Sequence, residues 1–125
     1  MLNIVVKKSK ISGKGVFAVK NFNKDEIVID WTNSKDLSKD ELKQLPAKEL
    51  NYTAYCNGKW VLQKSPAKYV NHCCEPNTFA KNFCDIALRN IKKGEEITSD
   101  YTKCPVAAMN IKCECKSKKC RKIIK

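Results

Sequence analysis

Three cysteines within eight residues near the end of the chain limit its possible folds more than any other feature. The stretch CECKSKKC places Cys113, Cys115 and Cys120 at C-x-C-x4-C spacing. Thiolates this close in sequence converge readily on Zn²⁺, but a tetrahedral zinc site takes four ligands. The spacing therefore implies a fourth ligand from a distant part of the chain.

The redox state expected for these thiols follows from the start of the chain. Eight cysteines in 125 residues would suggest disulfides in a secreted protein. However, MLNIVVKKSK has a short apolar stretch followed by lysines, the reverse of the order in a signal peptide. No apolar run approaches the roughly 20 residues that a membrane helix needs. We expect reduced thiols, no membrane partner and a cytoplasmic location, or a nuclear or host-nuclear one if the source is eukaryotic or an intracellular organism.

The charge of the chain leaves one alternative function open. The formal net charge is +12, and seven of the last fourteen residues are basic. Such a tail can hold nucleic acid through phosphate contacts. Aromatic residues do not interleave with this tail, and a lysine-rich solvated surface explains the charge equally well. A basic nucleic-acid-binding module that is stabilised by zinc therefore remains one interpretation. If the chain has another function, we expect any contact with nucleic acid to be indirect.

Local patterns predict one mostly β domain with few short helices. Four runs rich in β-branched and aromatic residues indicate short strands: NIVV, EIVIDW, KWVLQ and DIALRNI. The pair Asn57-Gly58 in YCNGKW is the strongest short hairpin signal that a sequence can carry.

One helix and one helical turn are predicted from capping residues. SKDELKQL offers Ser38 as the N-cap with Glu41 three residues later, which is a capping box. Pro46 ends this helix near Leu45. Pro66 is expected to open a helical turn that leads into Tyr69 and Val70.

Two further stretches carry weak signals when each is taken alone. SGKGVFA has G-x-G spacing but lacks the third glycine and the following helix of a dinucleotide-binding fingerprint. Two glycines often only make a turn, although they also let a backbone approach a ligand closely. In IKKGEEITSDY, Glu95 and Glu96 follow a turn glycine and are expected to be solvated.

Four motifs in this order resemble the SET-domain protein-lysine N-methyltransferases that carry a post-SET zinc segment. They are GKGVFA, YVNHCCEPN, GEEITSDY and CECKSKKC, and together they extend from about Lys8 to Arg121. The second matches the family pattern N-H-S-C-x-P-N with Cys73 in place of serine. The resemblance implies a SET-domain β-clip at residues 1–103, followed by a post-SET zinc-binding segment and basic tail at residues 104–125.

The resemblance also implies roles for individual residues. S-adenosyl-L-methionine is the expected methyl donor, and the Asn71-His72 pair forms a pseudo-knot with the Tyr101 segment. Asn71 and His72 are expected to bind the adenosine end of the donor, chiefly through main-chain and amide contacts. The methionine end is lined by Lys14, Gly15 and Phe17. Tyr101 is the expected catalytic residue and also a cofactor contact, and Tyr52 or Tyr55 would supply a second aromatic residue to the lysine channel.

The same resemblance names the missing zinc ligand. Cys74 joins Cys113, Cys115 and Cys120 around one structural ion, and Cys104, outside the matched motif, is the one rival. Cys73 is then a small packed residue. Closed four-thiolate zinc would supply the folding free energy that a short tail lacks.

The resemblance implies methylation of the ε-amine of a lysine in a protein substrate. This substrate would be a histone or another protein, including one bound to nucleic acid. Ser99 and Ala80 are small at positions near the expected channel, which favours di- or trimethylation. The alternative is that Phe79, Phe83 or a tyrosine of NYTAY fills the gap. So basic an enzyme would repel a basic substrate unless acidic residues line its groove. A SET fold that binds a partner without catalysis is the remaining alternative, which intact Asn71, His72 and Tyr101 disfavour.

Overall fold

The structure, a computed structural model, describes residues 3–11, 13–31, 34–100, 111–112 and 123–124. Within these ranges short strands dominate and the helices are few and short, as the sequence predicted. The expected post-SET segment lies almost entirely outside them. Two of its short stretches, β11 (Ile111–Lys112) and β12 (Ile123–Ile124), pair in an antiparallel manner.

The first sheet has four strands in the order β1 (Ile4–Lys8), β2 (Lys14–Ala18), β10 (Glu96–Ser99) and β7 (Asn71–His72). β2 is antiparallel to both β1 and β10, whereas β10 and β7 are parallel. Gly13, with φ of +45°, lies between β1 and β2. The turn interpretation is therefore confirmed for the first glycine of the G-x-G stretch, while the second lies within a strand.

The parallel pair brings the central motif beside the segment that leads to Tyr101. Thr98 is in register with Asn71, and Ser99 with His72. The Cys73 backbone N–H continues the pairing by donating to the Ser99 carbonyl at 2.9 Å. This adjacency is the one that the family resemblance implied.

The second sheet consists of β3 (Ile27–Asp30), β9 (Cys84–Ala87) and β8 (Thr78–Lys81), all antiparallel. β9 ends before the predicted strand DIALRNI does, because Ile91 instead forms an isolated bridge with Phe22. Trp31, directly after β3, packs edge-on against the ring of Phe83, with 6.2 Å between ring centroids.

The third sheet contains β4 (Lys35–Leu37), β6 (Lys59–Leu62) and β5 (Thr53–Cys56). Asn57-Gly58 joins β5 to β6 as a two-residue turn, and both residues have positive φ. Positive φ at both central positions defines the type I′ hairpin turn, which matches the twist of the strands. The predicted hairpin is confirmed.

The helices follow the capping signals. α1 (Lys39–Gln44) has Ser38 as its N-cap, and Ser38 and Glu41 exchange backbone-to-side-chain hydrogen bonds of 3.1 Å in both directions. The remaining helical pieces are 3₁₀ turns at Ala47–Tyr52 and Ala67–Tyr69, the second directly after Pro66. No helix in the described ranges is long and apolar enough to span a bilayer.

One hydrophobic core joins the three larger sheets. Val16 of β2, Ile97 of β10, Val28 of β3 and Val61 of β6 all belong to it. This core fixes the relative positions of the strands that carry the predicted site residues.

Candidate functional site

The side chain of Asn71 lies at the meeting point of three chain segments. Its amide nitrogen donates to the Lys14 carbonyl at 3.1 Å, to Glu96 Oε2 at 2.9 Å and to Ser9 Oγ at 3.1 Å. Lys14 and Asn71 were both predicted to bind the cofactor, one at its methionine end and one at its adenosine end. The structure therefore brings the two halves of the predicted binding surface into contact.

Glu96 is the residue that the sequence interpretation missed. Its carboxylate accepts from Ser9 Oγ at 2.8 and 2.9 Å as well as from Asn71, and it is half-buried. The expectation that Glu96 is solvated was wrong, because β10 is an inner strand of the first sheet and pairs Glu96 with Phe17 of β2. The available signal was its place in the GEEITSDY motif.

Gly15 lies under this carboxylate. A Cβ atom built on Gly15 would lie 2.9 Å from Glu96 Cδ and 3.0 Å from Ser9 Cβ, closer than ordinary packing allows. The sequence suggested that glycine lets a ligand approach the backbone here. The close neighbours in the structure are Glu96 and Ser9, so the missing side chain makes room for the group that holds Asn71.

The remaining predicted cofactor residues of β2 lie along the same strand. Lys14 is exposed, and its amine lies 5.5 Å from the centroid of the Tyr69 ring. Phe17 is half-buried, and Lys7 Nζ lies 4.5 Å from its ring centroid. Lys14 and Phe17 thus each take part in a contact between a cation and an aromatic ring.

His72 faces away from that cluster, because successive residues of a strand point to opposite sides. Its side chain is buried, with Nε2 3.4 Å from Cys74 Sγ and Nδ1 3.7 Å from Asp100 Oδ1. The imidazole is therefore held between a thiol and a carboxylate. Any contact of His72 with a cofactor would come from its main chain, which is the contact type expected from the sequence.

Asn77, the last residue of the central motif, fixes the backbone of β10. Its Oδ1 accepts from the Thr98 N–H at 2.8 Å, and its Nδ2 donates to the Glu96 carbonyl at 2.8 Å. The side chain is almost fully buried. The side-chain amide of Asn77 thus satisfies one backbone donor and one backbone acceptor of β10, as a neighbouring strand would do.

One of the four predicted zinc ligands, Cys74, lies among the described residues. Cys74 is half-buried beside His72, whereas Cys113, Cys115, Cys120 and the rival Cys104 lie outside the described residues. Among the described residues no group of three or more His, Cys, Asp or Glu side chains could hold a metal ion. Cys56, Cys73, Cys74 and Cys84 are all thiols.

A separate small cavity lies behind Ser99. Its wall includes Trp31, Ala80, Asp85, Ser99 and Asp100. Ser99 and Ala80, the two small residues noted in the sequence, therefore face one common space. Tyr52 and Tyr55, the candidate channel aromatics, are not among the described lining residues; Tyr55 is exposed and packs on Trp60, with 5.2 Å between ring centroids. Tyr101 lies outside the described residues.

This arrangement, a set of small β-sheets with the central motif paired against β10, is that of a known class of domain. A family model described as "SET domain" matches residues 13–102. The chain belongs to the SET-domain family.

Comparison with individual proteins agrees with this assignment. Histone-lysine N-methyltransferase trithorax of Drosophila melanogaster is 31% identical over 137 residues, which cover 94% of this chain and 4% of that protein. Histone-lysine N-methyltransferase set1 of Dictyostelium discoideum is 44% identical over 66 residues, 46% of this chain and 4% of that protein. The chain thus spans a small fraction of the length of these curated relatives.

A solved structure shares the fold. The crystal structure of a candidate histone methyltransferase from Plasmodium falciparum matches with a TM-score of 0.65 at 22% sequence identity. The match covers 81% of this chain and 94% of that chain. At this identity the likeness shows the fold alone.

Proposed function

We propose that this SET domain transfers methyl groups from S-adenosylmethionine to the ε-amine of a lysine in a protein substrate. The observation that supports the proposal most directly is the Asn71 cluster, which joins the β2 motif to the central motif beside β10. Both curated relatives described above are named histone-lysine N-methyltransferases. Histones are therefore the first substrates to test.

The side chains around Asn71 fit the charges of this cofactor. S-adenosylmethionine supplies a sulfonium-bound methyl group that an amine displaces in line. The exposed Lys14 amine offers a partner for a carboxylate, and the Lys14 carbonyl together with Glu96 offers acceptors for an ammonium group. The half-buried ring of Phe17, which is in register with Glu96, offers apolar contact surface. Lys14, Gly15, Phe17, Asn71 and the main chain of His72 would hold the cofactor.

The main task left to the protein is to make the substrate lysine neutral. A free lysine with a pKa of about 10.4 is neutral in only about 1 part in 2,500 at pH 7, a free-energy cost of roughly 4.6 kcal/mol. A narrow apolar channel lowers this cost, because it disfavours the ammonium form. The channel also excludes water and aligns the reacting atoms, which is the entropic part of the catalysis. Tyr101 is proposed to place its hydroxyl near the amine.

Two variants separate cofactor binding from catalysis. Tyr101→Phe should lower turnover on histones by about ten-fold or more while sparing most cofactor affinity, as expected for a group that acts in the transition state. Asn71→Ala should weaken S-adenosylmethionine binding itself, because it releases the contact with the Lys14 carbonyl. Isothermal titration calorimetry and a methyl-transfer assay on both variants check this. Equal loss of cofactor binding in the two variants would show that the roles are divided wrongly, and a wild-type protein that binds no S-adenosylmethionine would refute the proposed function.

The proposed product is di- or trimethyl-lysine. Ser99 and Ala80 leave open space in the cavity, so an alkylated amine has room to rotate and present its lone pair again. Phe83, one residue that could have filled the gap, packs against Trp31 instead. Mass spectrometry over a long time course should show products beyond monomethyl-lysine, and Ser99→Tyr should shift them towards monomethyl-lysine. A wild-type product that stops at one methyl with cofactor in excess would contradict this.

A further inference from the structure

Asp85 is a buried acid at the wall of the cavity behind Ser99. The cavity has a volume of about 30 Å³. Since one water molecule needs roughly 10–15 Å³ measured in this way, there is room for about two water-sized groups. An ammonium group fits this space, as do up to two methyl groups of an alkylated amine, and a nucleoside ring does not.

The carboxylate of Asp85 is held in place but is not fully paired. Only 2% of the residue surface is exposed, and Oδ2 accepts from Trp31 Nε1–H at 2.9 Å. In the part of the chain that the structure describes, no other hydrogen bond to this carboxylate is found. Burial raises the pKa of Asp85 to about 7, although the hydrogen bond from Trp31 acts to lower it. A buried acid of this kind is costly to keep, and perturbed acids in cavities are characteristic of functional sites.

The surroundings of Asp85 favour a cation. In the second sheet it is in register with Ile29 of β3 and Ala80 of β8, which carry no charge. The nearest charged residues of those strands, Asp30 and Lys81, are exposed and flank Cys84, one position along β9. A second carboxylate, Asp100, lies on the cavity wall, and none of the described lining residues is a lysine or arginine. Asp100 also lies 3.7 Å from His72 Nδ1, whereas the described lining residues offer Asp85 the indole of Trp31 and no lysine or arginine side chain.

The cavity adjoins the segment that the proposed reaction uses. Ser99, on its wall, precedes the proposed catalytic Tyr101 by two residues. We propose that Asp85 receives the ammonium group of the substrate lysine in this cavity and takes its proton before methyl transfer. An N–H bond of the ammonium breaks, its electron pair stays on nitrogen, and an O–H bond forms on the Asp85 carboxylate. The neutral amine then attacks the methyl donor, and the proton leaves Asp85 for water as the product departs. This inference rests on the proposed function.

The acidity of Asp85 suits this transfer. Between a lysine and an aspartate with ordinary pKa values of about 10.4 and 3.9, proton transfer is unfavourable by more than about 10⁶-fold. With the Asp85 pKa at about 7, the factor falls to roughly 10³. Desolvation of the lysine in an apolar channel reduces it further. Acids and bases matched in this way to the working pH are the most effective in proton transfer.

Asp85→Asn tests the role in catalysis, because an amide oxygen still accepts from Trp31 while the charge is lost. We expect kcat/KM on histones to fall about 100-fold or more at pH 7, with an unchanged Kd for S-adenosylmethionine. The activity of the variant should then rise about ten-fold per pH unit as bulk solvent deprotonates the lysine, whereas the wild type levels off above pH 7. Asp30→Asn, an exposed aspartate of β3, is the matched control and should behave as wild type. Wild-type activity and pH profile in Asp85→Asn would overturn the inference.

A measurement without turnover keeps the two proposals separate. The chain has two tryptophans, so its NMR spectrum has two indole N–H resonances. Trp31 donates its indole N–H to Asp85, whereas Trp60 packs against the ring of Tyr55. Titration with n-butylammonium at pH 8 should shift the Trp31 resonance in the wild type, leave Trp60 unmoved and have no effect on Trp31 in Asp85→Asn. An unresponsive Trp31 in the wild type would refute the cation site. A responsive Trp31 in a wild-type protein that methylates nothing would instead refute the proposed function and leave the cation site standing.

Discussion

At the scale of single residues, Gly15 shows how an absent side chain can organise a site. Its backbone does not have the positive φ that favours glycine, so available space decides which residue fits. That space is occupied by the carboxylate of Glu96, which in turn receives hydrogen bonds from Asn71 and Ser9. The glycine and the glutamate therefore form one packing unit, although 81 positions separate them in the sequence.

This coupling can be measured with a double-mutant cycle. Gly15→Ala should lower the free energy of unfolding by about 1–3 kcal/mol, because the new methyl group overpacks against Glu96 and Ser9. In a Glu96→Ala background the same change should be much less harmful. Gly13→Ala is the control: no atom lies within 4 Å of its Cβ position, so only its positive φ should matter, equally in both backgrounds. Additive effects of Gly15→Ala and Glu96→Ala in urea unfolding would show that the two residues are not coupled.

At the scale of secondary-structure elements, one buried amide, that of Asn77, supplements the strand pairing of β10. Asn77→Ala leaves the Thr98 N–H and the Glu96 carbonyl without their partner. Each unsatisfied buried group costs about 1–3 kcal/mol, so for the two groups we expect a loss of roughly 2–6 kcal/mol in unfolding free energy. Hydrogen exchange at the Thr98 amide should become faster than at other core strands. Asn90→Ala removes an exposed acceptor for Lys24 N–H and should cost less than about 1 kcal/mol; a similar loss in both variants would contradict this account of β10.

The same elements show which parts of the fold a sequence can reveal. The Ser38–Glu41 capping box and the Asn57-Gly58 turn were predicted because their partners lie within three residues of each other. The parallel pairing of β7 with β10 carries no local pattern, and the family resemblance alone suggested it. The contacts of Glu96 with Ser9 and of Asp85 with Trp31 join residues 87 and 54 positions apart. Such contacts exist only once the sheets are assembled, which is why Glu96 was predicted to be solvated and Asp85 was taken only as part of a strand.

At the scale of the whole molecule, the net positive charge of the chain opposes the binding of a basic substrate. A chain with a formal charge of +12 repels basic substrates at long range. Acidic residues along the groove would relieve this, as the sequence implied. Asp85 and Asp100 on one cavity wall provide negative charge where a substrate lysine is proposed to end. The electrostatic energy of the lysine in the cavity can then be favourable, even though the net charge of the chain repels a basic substrate at long range.

The proposed zinc site also acts at the scale of the whole molecule. Its ligands would link the C-terminal segment, residues 104–125, to Cys74 in the rest of the domain. Cys74 is its only proposed ligand among the described residues, and His72 Nε2, 3.4 Å from Cys74 Sγ, can donate to a thiolate there. Purified protein should hold one zinc ion per chain, and Cys74→Ser should lose most of it. Inductively coupled plasma mass spectrometry measures this.

Cys73→Ser is the matched control for this experiment. The two cysteines are adjacent and half-buried, and Cys73 Sγ accepts from the Glu75 N–H at 3.4 Å, which a serine hydroxyl can also do. Cys56→Ser is less suitable, because Cys56 belongs to the hydrophobic core and a hydroxyl there would disturb folding. Since a short segment has too little core to order itself, loss of zinc in Cys74→Ser should also make residues 104–125 more sensitive to proteolysis. Full zinc content in Cys74→Ser, or equal loss in Cys73→Ser, would rule out the proposed ligand set.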